Sequence, residues 1–316
     1  MIRGIMFGIC LTIAAALIAI YSISWTKQSR VAEAFPPVGE FIELDGGRLH
    51  YIDQGEGPAL ILLHGAGANL RDWTFQQFEE LAKTHRVIAF DRPGYGYSDR
   101  FARGHLTLEK EAAILKAASE KLGVSEALVV GFSYGGTVTT RLALDHPDFA
   151  HKLLLIAPAV HDWPSRTVDW TNGLLATPVL GQLAMNAVYA LAPRSYFVNA
   201  YRGVFYPEPL PDGYLNHVGL GLSTKPSVQV HNGYQIQNLL SEIETMMPRY
   251  AELTQRIHII HGTEDRSVSH KFHSEDFIKD AVNAEISFEF VEGVGHGIHQ
   301  SGTAKILSAI EMLSQK

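Results

Sequence analysis

A serine at the centre of a Gly-x-Ser-x-Gly pattern is the residue of this sequence best placed to act as a nucleophile. Ser133 follows a short apolar run at residues 127–130, and a helical pattern begins at about Thr137. A strand, a sharp turn and a helix in this order hold a serine hydroxyl at the tip of a sheet, and the flanking glycines let the strand and helix approach each other. The short pattern also arises by chance, so the rest of the chain must support it.

Such a serine needs a base, and the base works best when a carboxylate fixes its tautomer. Among the 15 histidines, His296 lies in a glycine-rich loop directly after an apolar run at 285–291. A turn there can bring the imidazole over the serine. His299 is the alternative base, although no glycine flanks it.

A candidate carboxylate, Asp265, lies in the loop that follows the apolar run at 256–260. Glu264, next to it, is the alternative. Asp91 ends a different run, and the Pro93-Gly94 turn after it favours a role in turn hydrogen bonds.

The elements that must position these residues form an alternating pattern. Two runs around Asp45-Gly46-Gly47 predict a hairpin, and further apolar runs alternate with helical segments. This alternation predicts an α/β fold with a mostly parallel sheet flanked by helices, and such sheets carry their chemistry at the carboxyl ends of the strands. The predicted runs after the hairpin are 58–63, 86–90, 127–130, 152–157, 256–261 and 285–291, and the predicted helices are 71–83, 106–122, 137–146 and 303–313.

Five motifs at the predicted strand ends resemble those of the α/β-hydrolase fold superfamily, of the Ser-Asp-His type with a helical cap. The resemblance extends from Phe41 to the C-terminus. The motifs are His64-Gly65-Ala66-Gly67, the segment 91–99 that begins Asp91-Arg92-Pro93-Gly94, Gly131-Phe132-Ser133-Tyr134-Gly135-Gly136, His261-Gly262-Thr263-Glu264-Asp265, and Gly293-Val294-Gly295-His296.

This resemblance implies roles for individual residues. Ser133 would be the nucleophile, His296 the base and Asp265 the residue that orients the base, in the chain order of the fold. The backbone N–H groups of Ala66 and Tyr134 would form the oxyanion hole. His64 would give structural support. No metal or cofactor is implied.

The resemblance also implies a reaction class. We expect a serine hydrolase that cleaves a carboxylic ester of a small, apolar acyl substrate through an acyl-enzyme. Epoxide hydrolases and haloalkane dehalogenases of this fold attack with an aspartate, which the serine at 133 disfavours. Carbon–carbon bond hydrolysis, thioester hydrolysis and perhydrolysis by the same triad remain alternatives, as does a non-catalytic binding protein on this scaffold.

The domain organisation is expected to be a core with one insertion. The segment between about 157 and 256 breaks the alternation and is rich in aromatic residues and prolines, which predicts short, Pro-bounded helices. In the family that the sequence resembles, this position carries a helical cap, so the resemblance implies a cap at 159–248 and a hydrolase core at 40–158 and 249–316.

The first 30 residues are expected to form a membrane anchor. Residues 4–26 carry no charge, and the 21 residues of 5–25 would span about 31 Å as a helix, which matches the hydrocarbon core of a bilayer. A cleavable signal sequence, with Ala32-Glu33-Ala34 as a possible site, is the alternative, and a buried core helix is disfavoured. Residues 31–39 are predicted to be a stiff linker.

Charge and cysteine content exclude some partners. The net charge of −7 gives no electrostatic footprint for nucleic acid. Cys10 is the only cysteine, so it forms no intrachain disulfide. The sequence leaves the oligomeric state open.

Overall fold

An eight-stranded sheet forms the centre of the computed structural model, which describes residues 2–165 and 170–315. The strand order is β1-β2-β4-β3-β5-β6-β7-β8, and β5 therefore lies in the middle of the sheet. The predicted hairpin pairs β1 with β2, β2 pairs antiparallel with β4, and every later pairing is parallel. The strands are β1 Glu40–Leu44, β2 Gly47–Gln54, β3 Ala59–Leu63, β4 Arg86–Phe90, β5 Ala127–Phe132, β6 Ala150–Ile156, β7 Arg256–Gly262 and β8 Glu285–Val291.

Helices cover both faces of this sheet. Alternate residues of β3 belong to two separate cores, with Ile61 and Leu63 in one and Leu60 and Leu62 in the other, which explains the continuous apolar run. The strand β8 is at the sheet edge, and none of its residues is buried. The α-helices are α1 Ile2–Ala34, α2 Phe78–Leu81, α3 Leu108–Lys121, α4 Tyr134–Asp145, α5 Trp170–Leu175, α6 Leu180–Leu191, α7 Arg194–Phe205, α8 Tyr214–His217, α9 Leu220–Ser223, α10 Pro226–Met246, α11 His270–Asp280, α12 Ile298–Ser301 and α13 Thr303–Ser314.

Helices α5 to α10 lie between β6 and β7, where the cap was expected at 159–248. Most of them are short, but α10 spans 21 residues and departs from the expected short helices. Its proline is at the first helical position, where the missing N–H costs nothing, so it begins the helix instead of breaking it. Residues 166–169 of the predicted cap lie outside the described residues, as do Met1 of the predicted anchor and Lys316 of the predicted core.

The helix α1 is long and apolar enough to cross a membrane. Its 33 residues extend about 50 Å. The helix continues to Ala34, so residues 31–34 differ from the predicted linker. Val31 packs against Gly221 of the cap, and the chain leaves the helix only before Pro36 and Pro37.

The single helix predicted at 71–83 is replaced by a 3-10 helix, Leu70–Phe75, and the short α2. The Leu70 N–H donates to Asp91 Oδ1 at 2.7 Å, and Asn69 Oδ1 accepts from the Arg71 N–H at 3.0 Å. Asp72 is buried. The 3-10 helix therefore begins at a local N-cap on Asn69 and at a contact with the distant Asp91, and helical periodicity alone does not fix the geometry here.

Candidate active site

Ser133 occupies a sharp turn between β5 and α4. Its φ of 54° and ψ of −120° lie in a region that non-glycine residues rarely adopt. A Cβ on Gly131 would lie 2.4 Å from the Gly135 carbonyl oxygen, and a Cβ on Gly135 would lie 2.3 Å from the Leu63 carbonyl oxygen. Both glycines are thus required by close backbone approach, and the serine side chain is presented at the carboxyl end of the central strand.

The structure brings Ser133, His296 and Asp265 together from three separate loops. The Oγ of Ser133 lies 2.9 Å from Nε2 of His296, and Nδ1 of His296 lies 2.6 Å from Oδ2 of Asp265. The carboxylate can only accept, so Nδ1 carries the proton and Nε2 accepts from the serine hydroxyl. This is the tautomer that a base for Ser133 requires.

Asp265 is held ionised by its surroundings. Its other oxygen, Oδ1, accepts hydrogen bonds from the N–H groups of Ser267 and Val268, both at 2.8 Å. Burial alone would raise the pKa of Asp265, but the attraction of His296 and hydrogen bonds from His261 and His296 outweigh burial and hold the pKa well below its ordinary value. A negative charge is therefore maintained behind the imidazole.

The alternative residues lie elsewhere. His299 Nε2 bonds Asp72 Oδ1 at 3.0 Å, and its ring stacks on Phe132 with centroids 3.7 Å apart. Glu264 is exposed. His299 therefore belongs to a buried polar contact beside the site, without a hydrogen bond to the serine.

His64 and Asp91 bond the backbone around the site. His64 Nε2 accepts from the Arg92 N–H at 3.1 Å, while burial and the nearby Arg92 charge lower its pKa to about 4, so the ring is neutral. Asp91 accepts from the N–H groups of Leu70 and Tyr97 at 2.7 and 2.8 Å.

His261 is a site residue that sequence reasoning named only as part of a motif. Its Nε2 lies 3.2 Å from Asp265 Oδ2 and 2.8 Å from the Val268 carbonyl oxygen. Since both partners accept, Nε2 must donate, and Nδ1 accepts from the Ser274 hydroxyl at 2.6 Å. The sequence feature that could have indicated this contact is the position of His261 at the end of β7, four residues before Asp265.

The two proposed oxyanion donors flank Ser133. Tyr134 is the first residue of α4, where backbone N–H groups have no partner within the helix. Ala66 follows β3 and lines the same cavity as Ser133. A Cβ on Gly65 would lie 3.2 Å from the Ser133 Cβ, so this loop runs directly alongside the serine.

A buried arginine that the sequence did not single out supports this loop. Arg92 donates to the carbonyl oxygens of His64 and Gly65 at 2.9 and 3.3 Å, and pairs with Glu111 at 2.6 Å. Its guanidinium also lies 4.7 Å from the centre of the Tyr134 ring. Arg92 therefore contacts the backbone or side chain on both sides of the predicted oxyanion hole.

A cavity of about 1220 Å³ opens over Ser133 between the core and the cap. Arg266, whose guanidinium lies over the Tyr206 ring at 4.1 Å, is the one Asp, Glu, Lys or Arg among its described lining residues. The cap side of the lining includes the apolar residues Trp163, Ala200, Val204, Ile236 and Leu239 and the polar residues Ser165, Asn172 and Asn232. Within the described residues, no group of three or more His, Cys, Asp and Glu side chains is arranged to hold a metal ion.

Comparisons with known proteins place this geometry in context. The sequence model of the alpha/beta hydrolase fold matches residues 58–302. The chain is 33% identical over 200 residues to a pimeloyl-[acyl-carrier protein] methyl ester esterase of Vibrio vulnificus, covering 58% of this chain and 73% of the relative. It is also 33% identical over 131 residues to a 2-hydroxymuconate semialdehyde hydrolase of a Pseudomonas species, covering 41% of this chain and 46% of the relative.

Some further matches cover only a small part of the relative, and others are purely structural. Two further curated relatives are matched over only 32% and 40% of their own length. A crystal structure described as a membrane phospholipase A superposes with a TM-score of 0.67 at 18% identity and covers 100% of both chains. At this identity the likeness concerns the fold.

Proposed function

The chain belongs to the α/β-hydrolase fold family, and on that premise we propose that it is a serine hydrolase that cleaves a carboxylic ester. The observation that carries the proposal is the hydrogen-bonded series Ser133–His296–Asp265 at the floor of the cavity. The methyl ester esterase of Vibrio vulnificus, which aligns over most of its length, supports an ester substrate.

The first half of the reaction forms an acyl-enzyme. Ser133 Oγ attacks the ester carbonyl carbon while its proton passes to Nε2 of His296. The N–H groups of Ala66 and Tyr134 stabilise the negative oxygen, each by about 3 kcal/mol. When the intermediate collapses, the C–O bond of the ester breaks, and the proton on Nε2 passes to the departing alcohol.

The second half returns the enzyme to its starting state. A water molecule gives a proton to His296 Nε2 and attacks the acyl carbon. The bond to Ser133 Oγ then breaks, the acid leaves, and the proton returns to Oγ. Asp265 stays ionised throughout and stabilises the imidazolium formed in each half.

The cavity favours an uncharged, apolar acyl group. Its described cap-side lining carries no charged side chain, and the apolar residues Ala200, Val204, Ile236 and Leu239 lie there beside the uncharged Asn172 and Asn232. The guanidinium of Arg266 lies over the Tyr206 ring. Carbon–carbon bond hydrolysis, thioester hydrolysis and perhydrolysis need the same three side chains, so a substrate panel must separate them. We expect p-nitrophenyl butyrate to be cleaved faster than thioesters or acidic ring-cleavage products.

Two measurements test the proposal with full-length protein in detergent. Wild type should hydrolyse p-nitrophenyl butyrate and become labelled at Ser133 by a fluorophosphonate. Ser133→Ala should lose both, and His296→Ala should lose at least 10³-fold in kcat, on the order seen for other triads. Equal hydrolysis by wild type and Ser133→Ala would refute the mechanism, and a folded wild type that is neither active nor labelled would indicate a binding protein.

We also propose that residues 4–26 anchor the protein in a lipid bilayer. Residues 2–19 are exposed, whereas Ser24 is buried against the cap. The C-terminal part of this helix packs on the cap, and its N-terminal part is apolar and exposed. This combination fits an anchor better than a signal sequence that is cleaved off. The protein should remain in the membrane pellet after carbonate extraction and retain peptides from residues 4–34 by mass spectrometry. A soluble product that begins near Phe35 would contradict the anchor.

A further inference from the structure

A stretch of 24 cap residues, 170–193, contains no Asp, Glu, Lys, Arg or His. It forms α5, α6 and the turn between them. Five of its large apolar side chains are exposed, one of them Leu191 (65%) at the C-terminal end of α6. The other four, which we call the cap tip, are Trp170 (74%), Val179 (72%), Leu180 (55%) and Leu183 (47%). Water-facing surfaces usually carry about 25–35% charged residues, so a surface of this composition is suited to an apolar surrounding.

Two contacts fix how α6 lies against α1. Ser24 Oγ donates to Asn186 Oδ1 at 2.7 Å, and Lys27 Nζ donates to the carbonyl oxygens of Tyr189 and Ala190 at 3.2 and 2.7 Å. In every pair the sequence separation is 162 or 163, so the two helices run parallel in one register. The Lys27 ammonium lies at the C-terminal carbonyls of α6, where the helix dipole favours a cation.

This register sets the depth of the cap tip. Six residues before Asn186, Leu180 lies about level with Ile18 of α1. At 1.5 Å per residue, that level is about 10 Å below Trp25, which ends the apolar segment of α1. Apolar groups of interfacial helices reach about 5–10 Å into the boundary of head groups and acyl chains. If α1 crosses the bilayer, the cap tip therefore lies at the depth of lipid.

One of these two cap helices, α5, borders the active-site cavity. α5 carries Trp170 of the cap tip and Asn172, which lines the cavity over Ser133. α6 packs directly on α5, since a Cβ on Gly181 would lie 2.2 Å from the Leu175 carbonyl oxygen. Helix α5 thus contributes to the cavity lining through Asn172 and to the exposed apolar surface through Trp170, and α6 packs on it.

From these observations we infer that the cap tip inserts into the leaflet that holds the C-terminal end of the α1 apolar segment, and that the active site takes an acyl ester dissolved in that leaflet. The second part rests on the proposed hydrolase function. At the inferred depth the medium around the cap tip is lipid, so we take lipid to be what covers it. A second copy of the chain would have to reach the cap tip within the membrane.

Insertion is tested with a fluorophore that reports its surroundings. In a full-length Cys10→Ser background, Val179→Cys and Leu183→Cys are labelled with the environment-sensitive dye NBD and reconstituted in phosphatidylcholine vesicles. The matched control is Val282→Cys, because Val282 is a comparably exposed valine (69%) on the surface of the hydrolase core and not of the cap. We expect blue-shifted emission and quenching by doxyl-labelled lipid at 179 and 183, and neither at 282.

Two results would overturn the insertion. Emission at 179 and 183 as polar as at 282 would place the cap tip in water. A blue shift that doxyl lipid does not quench would mean that protein, such as a second copy, covers the tip.

Substrate delivery is tested by comparing two esters, 4-methylumbelliferyl palmitate embedded in the vesicles and dissolved p-nitrophenyl butyrate. The double variant Val179→Asp/Leu183→Asp should lose about tenfold on the embedded ester and keep wild-type rates on the dissolved one. Val282→Asp should keep both rates. Unchanged cleavage of the embedded ester by the double variant would refute delivery from the leaflet. A wild type that cleaves neither ester would refute the proposed function and leave the fluorescence result standing by itself.

Discussion

His261 and Asp265 share a hydrogen bond of 3.2 Å on the carboxylate oxygen that also accepts from His296. Because His261 Nε2 is a fixed donor, it helps to hold that oxygen in place and in its ionised form. His261 touches no reacting atom, so its expected role is to position Asp265.

We predict that His261→Asn lowers kcat on p-nitrophenyl butyrate about tenfold with little change in KM, whereas Asp265→Asn lowers it by about 10⁴-fold because the wrong tautomer of His296 is favoured. The control is His258→Asn on the same strand, where the ring bonds Ser287 at 2.7 Å. The kinetics should be measured over a range of pH, because a weaker contact between Asp265 and His296 would change how the rate depends on pH. Identical kinetics and pH profiles for His261→Asn and His258→Asn would contradict the positioning role.

Gly135, two residues after Ser133, is predicted not to tolerate a side chain. In Gly135→Ala the new methyl group would lie 2.3 and 2.7 Å from the carbonyl oxygens of Leu63 and His64, which are backbone atoms and cannot rotate away. We expect a loss of about 1–3 kcal/mol in the free energy of unfolding, measured by thermal or urea denaturation. Gly203→Ala, in α7 with no atom within 4 Å of its Cβ, should instead gain up to about 1 kcal/mol. Equal stabilities of the two variants would show that the turn can relax.

Variants of the buried pair Arg92–Glu111 are predicted to change stability and activity by different amounts. Removing one partner in Arg92→Met leaves an unpaired buried carboxylate, which costs about 3–5 kcal/mol. The double variant Arg92→Met/Glu111→Met should regain much of this stability, because no charge is left buried. It should not regain kcat, because the bonds from Arg92 to the His64 and Gly65 carbonyls are lost.

This prediction is checked by thermal midpoints and by kcat for the single and double variants. Full recovery of kcat in the double variant would show that Arg92 does not hold the loop beside Ser133.

A buried histidine of the cap helix α10 is predicted to make stability depend on pH. Burial and the charges of Arg100 and Arg92 lower the pKa of His231 from 6.5 to about 3, so the folded protein keeps this ring neutral. Between these two values the unfolded chain binds the extra proton, and stability falls as the pH drops. At about pH 4.5 the loss is about 3 kcal/mol relative to pH 7.

His231→Gln cannot take up that proton and should show a smaller drop in thermal midpoint between pH 7 and about pH 4.5. Gln182→Ala on the cap surface is a control that carries no titratable group and should follow the wild-type curve. Parallel pH curves for His231→Gln and wild type would refute the assigned cause.

Much of the fold was predictable because the local pattern of apolar and polar residues indicates the strands and helices. The alternation of Ile61 and Leu63 with Leu60 and Leu62 between two cores produces an uninterrupted apolar run, and that run identifies a strand buried on both faces. The departures occur where distant groups decide local geometry. The predicted helix at 71–83 is replaced by a 3-10 helix, whose first N–H, that of Leu70, donates to Asp91, and by the short α2. The predicted linker is shortened where α1 packs on the cap.

The sequence by itself determined the turn at Ser133, because its short motif carries the glycines that the turn needs. Gly131 faces the carbonyl oxygen of Gly135, four residues on, which is a local requirement, whereas Gly135 faces the carbonyl oxygens of Leu63 and His64 at the end of β3. Tertiary structure alone decided which distant side chains meet the serine. His296 and His299 are three residues apart, yet one reaches Ser133 Oγ and the other reaches Asp72. Their partners lie more than 160 positions away, and only the packing of the loops on the sheet brings such groups within hydrogen-bond distance.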